Sequence, residues 1–117
     1  MNRRPLSRGD VVITRFPFTD LSDAKPRPAL VIGADSTGRD CILAYISRVV
    51  PGHTGVCDFV LRPGDPEFPS TGLRFPSVFR MDKVATLDRT LVSSRLGRVG
   101  PRIGREVDCR LRAALGL

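Results

Sequence analysis

The chain has 117 residues, 41% of them hydrophobic, which suits one domain over residues 1–117 that buries a core without disulfide or metal staples. Its 19 Lys and Arg against 12 Asp and Glu leave a net charge of +7, a field that draws polyanions, nucleic acid first among them. The composition excludes a disordered tail, no apolar run approaches a membrane span, and no apolar stretch follows the basic Met1–Arg8, so a cytoplasmic protein with neither anchor nor signal peptide is expected.

Residues 10–18, DVVITRFPF, are rich in β-branched and aromatic side chains and predict a first strand. A polar loop, TDLSDAKP, covers 19–26. RPALVIG at 27–33 predicts a second strand, and CILAYIS at 41–47 a third, with a turn through Asp35, Ser36 and Gly38 between them. A loop over 48–55 leads to a fourth strand at 56–62. From Pro63 to Pro76 four prolines and two glycines argue against regular structure. Ser77 to Thr86 predicts a fifth strand, Asp88 caps a short helical turn, and Ser94 to Val99 predicts a last short strand.

The C-terminus reads as a helix. Pro101 suits a first helical position, and Ile103, Val107, Leu111, Ala114 and Leu115 recur at helical spacing. Gly116 is its natural stop, and Arg105, Glu106 and Arg112 mark the solvated face. Short strands followed by one helix describe a mainly β domain, a small barrel or strongly bent sheet with a helix packed on it. Cys41, Cys57 and Cys109 lack metal-ligand spacing, and His53 is the sole histidine, so no metal site and no cofactor are expected. Cys41 should point into the core and Cys109 should lie on the helix, as buried free thiols usually do.

The short turn makes strands two and three an antiparallel hairpin. With the turn centred near Thr37, Gly33 faces Cys41, Val31 faces Leu43, Ala29 faces Tyr45, and Arg27 faces Ser47 at the open end. Arg can fork onto two phosphate oxygens and Ser adds a third donor, a pair suited to the charge that builds on a phosphodiester under attack. The same spacing also allows a plainer reading, a strand-end arginine paired with Asp20 or Asp23 beside a serine that ends a strand.

GDVVITRFPFTDLSDAKPRPALVIG followed by DCILAYIS resembles the amino-terminal half of the MazF/PemK toxin ribonucleases. TGLRFPSVFRMDKVATLDRTLVSSRLGRV resembles their second half, and the PemK-like branch is the nearer match. The resemblance implies an SH3-like barrel with a C-terminal helix, working as a homodimer. It implies metal-independent cleavage of single-stranded RNA at short sequences, leaving 2′,3′-cyclic phosphate and 5′-hydroxyl ends. It implies a type II toxin with an antitoxin partner whose acidic or hydrophobic tail fills the RNA groove. The family's catalytic arginine falls on Arg27 and its hydroxyl residue on Ser47, where many relatives carry Thr.

RNA contacts are expected from Thr19, Asp20 and Lys25 in the loop before Arg27, from Arg48 and His53, and from Arg74, Arg80 and Lys83. Phe16, Phe18 and Phe79 are candidates for base stacking or for packing. Arg is a poor general base, and His53, just past Ser47, is a candidate with its ordinary pKa near about 6.5. Two rivals stay open: a non-catalytic toxin of the CcdB kind that binds DNA gyrase, and an RNA-binding module that has lost cleavage.

Overall fold

A computed structural model of the chain describes residues 5–15, 25–49 and 54–117. Its elements are β1 (Asp10–Thr14), β2 (Arg27–Ala34), β3 (Asp40–Arg48), β4 (Asp58–Leu61), α1 (Phe68–Thr71), β5 (Ser77–Asp88), β6 (Val92–Arg98) and α2 (Pro101–Leu115). The strands form one antiparallel sheet in the order β4-β5-β3-β2-β1-β6. This is the expected mainly β domain with a C-terminal helix. Bulges bend the sheet. The sharpest is in β5, where Ala44 pairs with Val84 but the next β3 residue, Tyr45, pairs with Arg80, leaving Met81, Asp82 and Lys83 outside that pairing.

Alternate residues of the central strands feed two cores. Val11, Leu30, Ala44, Ile46, Phe79 and Met81 pack on one face with Ile103 and Val107 of α2. Val12, Ala29, Val31, Leu43 and Val92 pack on the other. Near-continuous apolar runs such as LVI and CILAYI follow from this two-sided burial. Cys41 is buried in the second cluster, and burial pushes its thiol pKa up, as expected of a core cysteine. Cys109 does lie on α2, but on its exposed side.

The hairpin register matches the sequence reading through its middle, with Ala29 opposite Tyr45 and Val31 opposite Leu43, but the ladder ends at Ala29–Tyr45 and does not include the expected Arg27–Ser47 pair. Near the turn it differs: Gly33 faces Ile42, and Cys41 faces Ala34 instead of Gly33. The cause is the turn itself. The Asp35 N–H donates to the Asp40 carbonyl at 3.1 Å, and the Asp35 carboxylate accepts from the Arg39 and Asp40 N–H groups. That closure sets a register shifted by one, and a bulge at Ile32 restores the original pairing toward Arg27.

Other bounds move for identifiable reasons. β1 ends at Thr14, and residues 16–18 of the expected strand lie outside the described residues. β4 begins at Asp58 because the Asp58 side chain accepts from the Gly55 N–H at 2.9 Å and closes a turn there. The Pro-rich segment contains α1, since Pro69 sits in its first turn, where no N–H is needed. Asp88 caps the expected helical turn at Arg89–Leu91 by accepting from the Thr90 N–H at 2.9 Å. α2 starts at Pro101 and ends at Gly116 as read, but Leu115 is 60% exposed because core contact fades after Val107.

Gly100 brings no capping side chain to α2. Glu67, from the loop before α1, supplies one: its carboxylate accepts from the Ile103 N–H at 2.8 Å and the Arg102 N–H at 3.2 Å. Arg102 in turn pairs with Asp65. Arg102, then the Glu67 N–H, hold the Asp65 carboxyl below its ordinary 3.8. A carboxyl depressed in the folded state adds stability that is full above the unfolded value and lost as pH falls through the folded one. The urea midpoint of the wild type should therefore exceed that of Asp65→Asn at neutral pH, and the gap should close as pH drops below about 4. A gap that stays constant to pH 2 would show that Asp65 contributes no ionic stabilisation.

Candidate active site

Arg27 stands between Pro26 and Pro28 at the start of β2. Both prolines fix φ and bring no N–H, and a residue before proline is held extended. β2 still pairs with β1 here, Arg27 opposite Thr14, but its pairing with β3 stops at Ala29–Tyr45. The sheet opens at that point. Arg27 shares a face with Ala29 and Val31, and Ser47 shares that same face through Tyr45 and Leu43.

A cleft of about 210 Å³ occupies the opening. Arg27, Tyr45, Ser47 and Arg48 line one side, and Leu73, Arg74 and Phe75 the other, with Pro26 and Pro28 at the rim. The pairing of β3 with β5, Arg48 opposite Ser77, brings the second wall alongside the first. Leu73 anchors that wall in the core, and the Ser77 hydroxyl donates to the Phe75 carbonyl at 2.7 Å. The Val49 N–H donates to the Pro76 carbonyl at 3.3 Å. The Ser47 hydroxyl donates to the Arg48 carbonyl at 3.1 Å. Three guanidiniums and no carboxylate are found among the described residues lining the cleft. Such a lining attracts an anion.

The structure thus brings together Arg27, Ser47, Arg48 and Arg74. Lys25 is exposed just before Pro26. Arg80 is not in the cleft lining; its side chain is 22% exposed and pairs with Asp58 of β4 at 3.4 Å. Lys83 is exposed in the β5 bulge, also outside the lining. Thr19, Asp20 and His53 lie outside the described residues, as do Asp23, Phe16 and Phe18. Phe79 is fully buried, tilted against Phe59 with ring centroids 6.1 Å apart, so it packs the core. Sequence reading missed Tyr45 and Phe75. Phe75 is 51% exposed in the cleft wall, with the Arg48 Cζ 4.1 Å from its ring centroid. The signal was its setting, an aromatic between Arg74 and Pro76 in a segment too rich in proline to bury it in a strand.

A wider hollow of about 550 Å³ runs along β6 between Leu6, Arg89 and Arg95, and neither Arg27 nor Ser47 reaches it.

Comparison with known proteins gives consistent results. The family profile described as PemK-like, MazF-like toxin of type II toxin-antitoxin system matches residues 7–115. Endoribonuclease MazF6 of Mycobacterium tuberculosis is 33% identical over 96 residues, covering 80% of this chain and 82% of the relative. The M. tuberculosis toxin MazF-mt6 superposes with a TM-score of 0.69 at 17% identity, covering 92% of this chain and 97% of that one. MazE-MazF from Deinococcus radiodurans superposes at 0.67 with 19% identity, covering 97% of this chain and 99% of that one. Both share the small barrel-like fold of this chain.

Proposed function

The chain belongs to the PemK-like, MazF-like toxins of type II toxin-antitoxin systems, and from that membership and the arginine-lined cleft together we infer that it is an endoribonuclease acting on single-stranded RNA. The observation that carries this reading is Arg27 and Ser47 on one face of one cleft, with Arg48 and Arg74 beside them. The scissile phosphate docks there. Arg27 forks onto its two non-bridging oxygens, and the Ser47 hydroxyl turns from the Arg48 carbonyl to add a donor. The ribose 2′-oxygen forms a bond to phosphorus as its proton leaves, and the bond to the 5′-oxygen breaks as that oxygen gains a proton. The products are a 2′,3′-cyclic phosphate and a 5′-hydroxyl. Charge grows on the non-bridging oxygens along this path, and the fixed donors meet it there. In the cell the cut messages stop translation and growth.

A cognate antitoxin is the protein partner. Its acidic or apolar tail competes with RNA for the cleft, and the chain works as a homodimer. The test is incubation of purified protein with long single-stranded RNA in EDTA, with end-group analysis by mass spectrometry. Cutting at a few short sites with cyclic phosphate ends is expected. Abolition by EDTA would sink the metal-independent route, and intact RNA alongside a stalled DNA gyrase would favour a non-catalytic poison.

A further inference from the structure

The proposed reaction uses Arg27 and Ser47 and leaves the opposite wall of the cleft without a task. That wall carries an exposed aromatic ring, Phe75, with the guanidinium of exposed Arg48 held 4.1 Å over it. A ring this exposed contributes little to folding, yet its position is pinned. The Ser77 hydroxyl bonds the Phe75 carbonyl at 2.7 Å, and the Val49 N–H bonds the next carbonyl, that of Pro76, at 3.3 Å. Leu73, two residues before it, is buried in the core. Arg48 and Phe75 line the same cleft as Arg27 and Ser47, so the stack lies beside the proposed phosphate position.

We propose that Phe75 and Arg48 form a stacking platform for the unpaired nucleobase flanking the scissile phosphate, and that this platform sets which nucleotides the enzyme accepts there. The proposal rests on the nuclease reading above. Aromatic rings and guanidinium planes both stack on bases, and single-stranded RNA is held in this way wherever bases are splayed from a helix. A base paired in a duplex has both faces covered and cannot dock on such a surface. The platform therefore confines cutting to unpaired RNA, while Arg27 and Ser47 act on the backbone without regard to base.

The test uses the full chain with Phe75→Ala, Phe75→Leu and Phe75→Tyr. A 2′-O-methyl oligonucleotide carrying 2-aminopurine beside the target phosphate reports stacking, since it binds and cannot be cut. Wild type and Phe75→Tyr should quench the 2-aminopurine, and Phe75→Ala and Phe75→Leu should not. In cleavage assays the two non-aromatic variants should raise KM by about 10- to 100-fold, with a far smaller change in kcat, and their sequencing maps should show relaxed base preference. Phe75→Leu keeps an apolar side chain of similar bulk, so a folding defect in Phe75→Ala leaves the comparison intact. A wild-type cleavage map and KM in Phe75→Leu would overturn the platform. Quenching by a wild-type protein that does not cut RNA would instead overturn the nuclease reading and keep the platform.

Discussion

Arg27→Ala should lower the rate of RNA cleavage by about 10²- to 10³-fold at saturating substrate, with the fold unchanged. The size follows from what is removed. Arg27 is held extended between two prolines and lines the cleft beside Ser47, and in the proposed reaction its planar fork of donors meets the charge that grows on the phosphate. Removing one preorganised donor of this kind costs about 3–4 kcal/mol of barrier. Arg27→Lys keeps the charge and loses the planar fork, and should recover only part of the loss. Ser47→Ala removes a single neutral donor and should cost about tenfold. Single-turnover rates separate these effects from binding. An Arg27→Ala protein that cuts within threefold of wild type would remove Arg27 from the reaction.

Gly97→Ala should be among the most damaging small substitutions for stability. An added Cβ would lie 2.3 Å from the Ser70 carbonyl oxygen and 2.7 Å from the Thr71 carbonyl carbon. Both obstacles are backbone, so β6 and α1 must separate to make room. Overpacking of this kind costs about 3 kcal/mol, equivalent to roughly 12 °C in melting temperature for a domain of this size. Gly72 faces the same seam from the other side, with a Cβ position 2.3 Å from the Leu96 carbonyl oxygen and φ at 74°. Gly72→Ala adds left-handed backbone strain of about 1 kcal/mol to the clash. Leu73, Arg74 and Phe75 follow Gly72 directly, so either change also displaces a wall of the cleft. Differential scanning calorimetry checks the claim, and a shift under 3 °C for Gly97→Ala would contradict the close approach.

Much of this architecture is legible from local pattern. β-branched and aromatic residues mark β1 to β5, Pro101 and Gly116 bracket α2, and Asp88 caps its turn through a side chain two residues from its partner. Register counting set Arg27 and Ser47 on one sheet face because a short turn joins their strands, and both line one cleft although the ladder itself stops at Ala29–Tyr45. The counting fails near that turn for the reason Asp35 gives: closure of the loop by its carboxylate shifts the pairing, and the bulge at Ile32 that corrects it leaves no mark in composition. Long-range partners are harder still. Arg80 and Phe75 look equally available in the sequence, yet Arg80 is taken by Asp58 of the neighbouring strand while Phe75 is left open over the cleft. Those fates depend on which strand lies beside which. Glu67 is similar, an ordinary acidic residue until α2 arrives with an uncapped N-terminus for it to serve.

The pairing of β1 with β6 has a consequence for how the protein comes into being. Asp10 and its partner Arg98 are separated by 88 residues. On a ribosome, β1 emerges early and waits for almost the whole chain before its outer edge is covered. The Gly72–Gly97 seam that steadies the cleft wall must wait equally long, since β6 supplies half of it. Loops this long are slow to close. The nascent polypeptide therefore carries Arg27 and Ser47 well before it has a finished cleft around them. A ribosome-tethered chain stopped short of β6 should be open to protease and unable to cut RNA, so that synthesis itself delays the toxic activity until the last strand is in place.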